Sequence, residues 1–271
     1  MLTALVLVML FLIALFWLTP RAWTLFAGVL VLPAAWEWGG LTKLGTSARA
    51  LYVLLVAIVC ATLAALALGE DAAAWVQARY AGYFAAGIFW IVIVPAWLWR
   101  AWLPRSRWAI ALVGIVVLVP TWLALVDLRG RGALLLLLLM AVAWTSDIAA
   151  YFAGRRFGRH KLAAAISPGK TWEGVAGALA AISLYAALWV YAWPNHYPPA
   201  FRIGHSGAFL MLCFLLLLTV AGIYGDLFES ALKRRAGVKD SGKSLPGHGG
   251  VLDRIDALTA VLPLAALAYS L

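Results

Sequence analysis

Runs of about 20 apolar residues recur along almost the whole chain, the length that a helix needs to cross a bilayer core of about 30 Å. Lipid offers the backbone no hydrogen-bond partner, so each run must satisfy its own N–H and C=O groups as a helix. Nine candidate spans emerge, at about 2–19, 23–41, 50–68, 82–100, 107–126, 133–152, 173–193, 207–226 and 254–270. The expected fold is all-α, a polytopic integral membrane protein with its active site at the cytoplasmic face. Composition agrees: 65% of the 271 residues are hydrophobic, 12% are charged, and mean hydropathy is +0.95. Those values exclude an ordinary soluble domain. About five spans (1–132) read as scaffold and the remainder (133–271) as the catalytic region, the two forming one integrated unit. Residues 70–81 read as a short interfacial helix with Trp75 and Tyr80 at headgroup level. Cys60 and Cys213 lie inside apolar runs, so no disulfide framework is expected, and the first run lacks the basic flank of a cleavable leader.

Numbering the spans in order sorts the 21 Lys and Arg residues by side. One side receives five (Arg21, Arg79, Arg129, Arg131 and Arg202), and the other receives sixteen. By the positive-inside rule the richer side is cytoplasmic, which puts both termini outside. Glu70, Asp71 and Asp127 fall on the outer side, and the other eight acids fall at the cytoplasmic level. The net charge of +10 suits an anionic membrane surface or a phosphate-bearing substrate.

The most polar stretch is GDLFESALKRRAGVKDSGKSLPGHGGVLDRID, residues 225–256, which holds five of the eleven acids. Asp226 and Glu229 are three apart and share a helix face, as do Asp253 and Asp256. Two such pairs brought together would repel unless cations lie between them. Hard oxygen ligands shared with substrate phosphates suit Mg²⁺. Lys233, Arg234, Lys239 and Lys243 supply the positive charge that phosphates need, and Gly247, Gly249 and Gly250 would let backbone approach a ligand. His248 reads equally as a catalytic group or a loop hydrogen-bonder. With no Ser-His-Asp or Cys-His set in view, the chemistry points to metal-assisted phosphoryl or nucleotidyl transfer.

Three features lie outside that stretch. Asp147, inside the sixth span, is either functional or the partner of an Arg from the next loop. Glu37, between Trp36 and Trp38, reads as an ordinary interfacial acid. The 154–172 loop ends in Ser167-Pro168-Gly169-Lys170-Thr171, with Glu173 just beyond. It reads either as a capped helix start or as a phosphate site at a helix N-terminus. It lacks GxxxxGK[ST] spacing, and no strand is expected before it.

The run Ser230-Ala231-Leu232-Lys233-Arg234, then Lys239-Asp240-Ser241-Gly242, then Leu245 to Asp256 (LPGHGGVLDRID) resembles the signature of the phosphatidate cytidylyltransferases, or CDP-diacylglycerol synthases. ISPGKTWEG and the Asp147–Tyr151 segment resemble two further motifs of that family, although Ile148-Ala149 stand where the family has Ser or Thr and then Gly. The resemblance covers Asp147 to the C-terminus. It implies that CTP and phosphatidic acid give CDP-diacylglycerol and pyrophosphate, with Mg²⁺, by direct attack of the lipid phosphate on the α-phosphorus. Asp226, Asp253 and Asp256 would then be metal ligands. Lys233, Arg234, Lys239, Asp240 and His248 would lie by the reacting phosphates. Ser167, Lys170, Thr171 and Glu173 would help to hold nucleotide or lipid phosphate, with Gly249 and Gly250 giving backbone access. The implied setting is a cell inner (plasma) membrane with no nucleic-acid partner, and homodimerisation stays open. The rivals are another CTP-using lipid enzyme, such as a polyprenol kinase or an ether-lipid cytidylyltransferase, and an ion-coupled transporter.

Overall fold

The computed structural model describes residues 2–69, 71–201, 206–245, 247 and 249–271. Among these are α1 (Leu2–Trp17), α2 (Pro20–Leu41), α3 (Thr46–Leu68), α4 (Ala72–Ile88), α5 (Val94–Trp99), α6 (Arg107–Arg131), α7 (Ala133–Phe157), α8 (Trp172–Ala192), α9 (Gly207–Ala236) and α10 (Leu252–Ser270). A wider, π-helical turn at Phe89–Ile93 joins α4 to α5 as one rod. Pro95 explains it, since proline has no N–H and its ring crowds the carbonyl four residues back. The described residues thus form nine rods, of which seven, against nine expected spans, are long and apolar enough to cross a membrane. The other two are α1, apolar over Val6–Trp17, and α10, which opens on Asp253, Arg254 and Asp256.

The side chains sort as lipid requires. On α3, Leu51, Leu54, Leu55 and Ile58 lie outward at helical spacing, while Tyr52, Val56 and Cys60 face inward. By contrast α10 is buried almost continuously from Ala257 to Ala266 and packs against α2, α4, α6, α7 and α9. A helix apolar on every face belongs at the centre of the bundle. The leucine run of α7 is core as well, with Leu135, Leu136, Leu138 and Leu139 buried.

Two local expectations change. Residues 70–81 do not form a separate interfacial helix, because the described part is the opening of α4. No breaker interrupts that helix, and Gly82 is placed where a Cβ would come within 2.9 Å of Leu123 on α6, so α4 packs inward. The 154–172 loop contains an antiparallel ribbon, β1 (Lys161–Ala163) with β2 (Ser167–Thr171), pairing Lys161 with Thr171 and Ala163 with Ser167. A strand does therefore precede α8. The exclusion of a P-loop rests on spacing alone.

The two ends of the bundle carry different chemistry. Near the end of α6, buried Asp127 holds Arg79 at 2.5 Å and Arg131 at 3.5 Å, and Arg129 donates to the carbonyls of Leu15 and Leu18. At the start of α6, the Arg235 guanidinium donates to the carbonyls of Pro104 and Arg105. The 25 residues of α6 put about 38 Å between these ends. Cations assigned to opposite sides by loop parity thus lie at opposite ends.

Candidate active site

The second end is built on α9. Its 30 residues exceed what a bilayer needs, and the surplus carries Asp226, Glu229, Ser230, Lys233, Arg234 and Arg235 past the apolar run. The helix stops at Gly237, whose φ of +79° is a left-handed conformation that glycine adopts freely, and basic residues fill its last turn, where the dipole favours them. Phe228 lies among Trp38, Phe89, Trp90 and Trp97, with ring centroids 5.4–6.3 Å away. This aromatic clamp fixes the position of the acids on either side of it. Gly225 lets α9 reach α10, since a Cβ there would come within 2.6 Å of the Asp256 carbonyl.

That close approach brings carboxylates from three helices together. Asp226 of α9 interacts electrostatically with Asp147 of α7 and Asp256 of α10, and Lys170 of β2 is the cation that faces them. Lys170 Nζ lies 2.5 Å from Asp226 Oδ2, and the Ser230 hydroxyl donates to Asp226 Oδ1 at 3.2 Å. Asp147 therefore faces the acid cluster and this lysine.

Asp253 belongs to a second, more enclosed arrangement. Its carboxylate takes Lys233 Nζ at 2.7 Å, the Gly250 N–H at 2.8 Å, the Ser241 hydroxyl at 2.9 Å and the Ser241 N–H at 3.0 Å. Lys233 also pairs with buried Glu229 at 3.2 Å. The expected metal set Asp226, Asp253 and Asp256 is thus divided: Asp253 is saturated by protein donors, while the other two share the Lys170 cluster. Among the described residues no three His, Cys, Asp or Glu side chains form a ready-made metal cage.

Local reading missed Glu37. It is 1% exposed and reaches from α2 to the other end of the chain, accepting from Leu252 N–H at 2.8 Å and Val251 N–H at 3.0 Å, with the Ser241 hydroxyl, whose one proton is shared with Asp253, at 3.1 Å. Val251 is the N-cap of α10 and has no side-chain acceptor, so Glu37 supplies the cap from 214 residues away. Gly242 and Gly250 make room for it: a Cβ at either would come within about 2.6 Å of a Glu37 oxygen. The only sequence signal was an acid flanked by two tryptophans.

The remaining expected residues fall as follows. Thr171 caps α8 by accepting from the Gly174 N–H at 3.1 Å. Ser167 pairs in the ribbon, and Glu173 binds His160 Nδ1 at 2.6 Å, which staples the ribbon rather than extending a phosphate site. Arg234 donates to the Ile166 carbonyl at 3.3 Å and so ties the end of α9 to the ribbon's turn. Lys239, Asp240 and Lys243 are exposed, and Asp240 lies beside Gly249, whose φ is +81°. His248 lies outside the described residues.

Residues 1–271 match the model of the cytidylyltransferase family. A phosphatidate cytidylyltransferase of Pseudomonas aeruginosa is 37% identical over 272 aligned positions, covering 97% of this chain and 93% of that protein. Proteins of the same name from Haemophilus influenzae and Thermotoga maritima are 41% and 36% identical over 139 and 166 residues. Those alignments cover 51% and 61% of this chain, and 46% and 59% of the two relatives.

Proposed function

The chain belongs to the cytidylyltransferase family, and from that premise we propose that it is a phosphatidate cytidylyltransferase, converting CTP and phosphatidic acid to CDP-diacylglycerol and pyrophosphate. The observation that carries this reading is the Lys170–Asp226 contact, where the ribbon meets the acid-bearing surplus of α9. A lipid phosphate oxygen attacks the α-phosphorus of CTP, the α–β phosphoanhydride bond breaks, and pyrophosphate leaves with the bonding electrons. No side chain need act as nucleophile, so what the protein supplies is positioning and charge. Lys170 and the ribbon offer a cation and backbone N–H groups to phosphate, while Lys233 and Asp253 hold the 238–251 loop against α9.

Mg²⁺ suits the donors in kind. Asp147, Asp226 and Asp256 present hard oxygens whose mutual repulsion Lys170 offsets. Carboxylates of this cluster would contribute oxygens to the ion and substrate phosphates the rest, since among the described residues no three acids form a cage by themselves. When bound, it would neutralise charge on the reacting phosphates. The test is the purified protein in detergent with radiolabelled CTP and phosphatidic acid. CDP-diacylglycerol and pyrophosphate should form in equal amounts and only with both substrates. Transfer of the γ-phosphate to a polyprenol, or no dependence on CTP, would overturn the reading.

The multi-pass protein is proposed to place this end in the cytoplasm of an inner membrane. The support is the charge split of sixteen cations to five together with the segregation of the two ends. With Cys60 and Cys213 replaced, Ser206→Cys should react with an impermeant maleimide in intact cells. Ser244→Cys should react only after permeabilisation. Equal labelling of both from one side would refute the topology.

A further inference from the structure

A polar cavity opens at the same end of the bundle as the acids, on another side of α9. It has a volume of about 350 Å³ and is lined by Lys43, Arg105, Arg107 and Arg235 over an apolar floor that includes Ile110 and Leu232. Lys233 and Arg235 are two residues apart on one helix, so their side chains project about 160° apart around its axis. One serves Asp253, and the other faces this cleft. No acid lines the cavity, and among the described residues none of its four cations pairs with a carboxylate. Four cations converging without a counter-charge form an anion site.

Two further observations define it. Lys43 adopts a φ of +58° just past the C-terminus of α2, where its N–H bonds to the Gly40 carbonyl. Glycine is the residue suited to that turn, because a Cβ crowds the neighbouring carbonyl in left-handed backbone. The fold accepts this crowding at a position that lines the cleft. Depth is the second: α2 and α9 end here, α6 begins here, and Trp99, Trp102 and Trp108, which flank the lining residues Arg105 and Arg107 in the chain, are exposed, with Trp99 at 91%. Exposed tryptophans beside helix ends mark the level of lipid headgroups. The Arg107 guanidinium lies 5.3 Å from the Trp108 ring, and Arg235 is fixed by the Arg105 carbonyl at 2.8 Å.

We propose that this cleft binds the phosphate of an anionic phospholipid, at a site separate from the reacting groups. The cations would take the phosphate, and the apolar floor would meet the start of the acyl chains. A soluble phosphate would gain nothing from that floor, and this difference separates the two sources.

The probes are phosphatidylglycerol, phosphatidylcholine and inorganic phosphate, added to the full chain in a neutral detergent. Thermal stability and lipid retained in native mass spectrometry are the readouts. Phosphatidylglycerol should bind and stabilise, and the other two should not. At about 1 kcal/mol per cation near the surface, Lys43→Gly and Arg107→Ala should each weaken phosphatidylglycerol binding about fivefold. Arg235 is left intact because it also holds the 104–105 backbone. Without added lipid, Lys43→Gly should melt no earlier than the parent, since glycine relieves the left-handed turn. An earlier melt would mean that the lysine holds the fold instead, and would overturn the assignment. So would unchanged phosphatidylglycerol binding in the double variant, or equal stabilisation by inorganic phosphate.

Discussion

Asp226→Asn should lower kcat by about a hundredfold to a thousandfold, the range for removing one preorganised electrostatic group from a reaction site. The carboxylate sits where α9, α10, α7 and β2 converge, with Lys170 at 2.5 Å and Ser230 at 3.2 Å. The amide would leave Lys170 without its counter-charge and remove a hard oxygen that a metal needs. Lys170→Ala removes the other partner. At about 1.5–3 kcal/mol for a contact to a charged group, it should cost on the order of tenfold to a hundredfold in kcat/KM for CTP. Lys170→Arg should recover only part, because a planar fork does not replace a compact ammonium. Both side chains are about a quarter exposed, at 25% and 28%, so the pair itself contributes about 1 kcal/mol or less to stability. A large loss of turnover with a small change in melting temperature is therefore the signature of function. The double variant should lose no more than the worse single one, as expected for groups that act together. Additive losses would mean that the two act independently, and near-normal turnover in Asp226→Asn would remove it from the site.

How much of this was legible depended on the distance over which each feature is encoded. The spans were readable because lipid imposes a length and a polarity on every crossing segment. The ends of the rods were less so: hydropathy closed the eighth span near Asp226, whereas α9 continues to Ala236. A helix entering water keeps its hydrogen bonds and changes only its side chains. The Thr171 cap follows from local sequence. The ribbon before it does not, because Ser167-Pro168-Gly169 reads as a turn and strand pairing needs a partner several residues away. The grouping of Asp147, Asp226 and Asp256 depends on close helix approach at Gly225, which spacing along a single helix cannot show. Glu37 lay furthest out of reach, since its partners are more than 200 residues away.

That same long reach makes Glu37→Ala the substitution with the largest expected effect on the fold of the site. The carboxylate accepts from Val251 N–H and Leu252 N–H and shares the Ser241 hydroxyl proton with Asp253 in a buried setting, and its charge faces the positive end of the α10 dipole. Removing it strands buried donors that have no other acceptor in α10, at a cost on the order of 3 kcal/mol. Glu37→Gln does not escape this cost. Both carboxylate oxygens receive an N–H, so whichever becomes the amide nitrogen turns a donor toward a donor. Ser241 also bonds Asp253, which holds Lys233, so the disturbance should spread from α2 through the loop to α9. Hydrogen exchange in residues 238–251 should therefore accelerate in both variants, with α6 and α7 unchanged. Melting temperature should fall, more for Ala than for Gln, and turnover should drop with it. Wild-type exchange and turnover in Glu37→Ala would return this residue to the interfacial role that its tryptophan neighbours suggest.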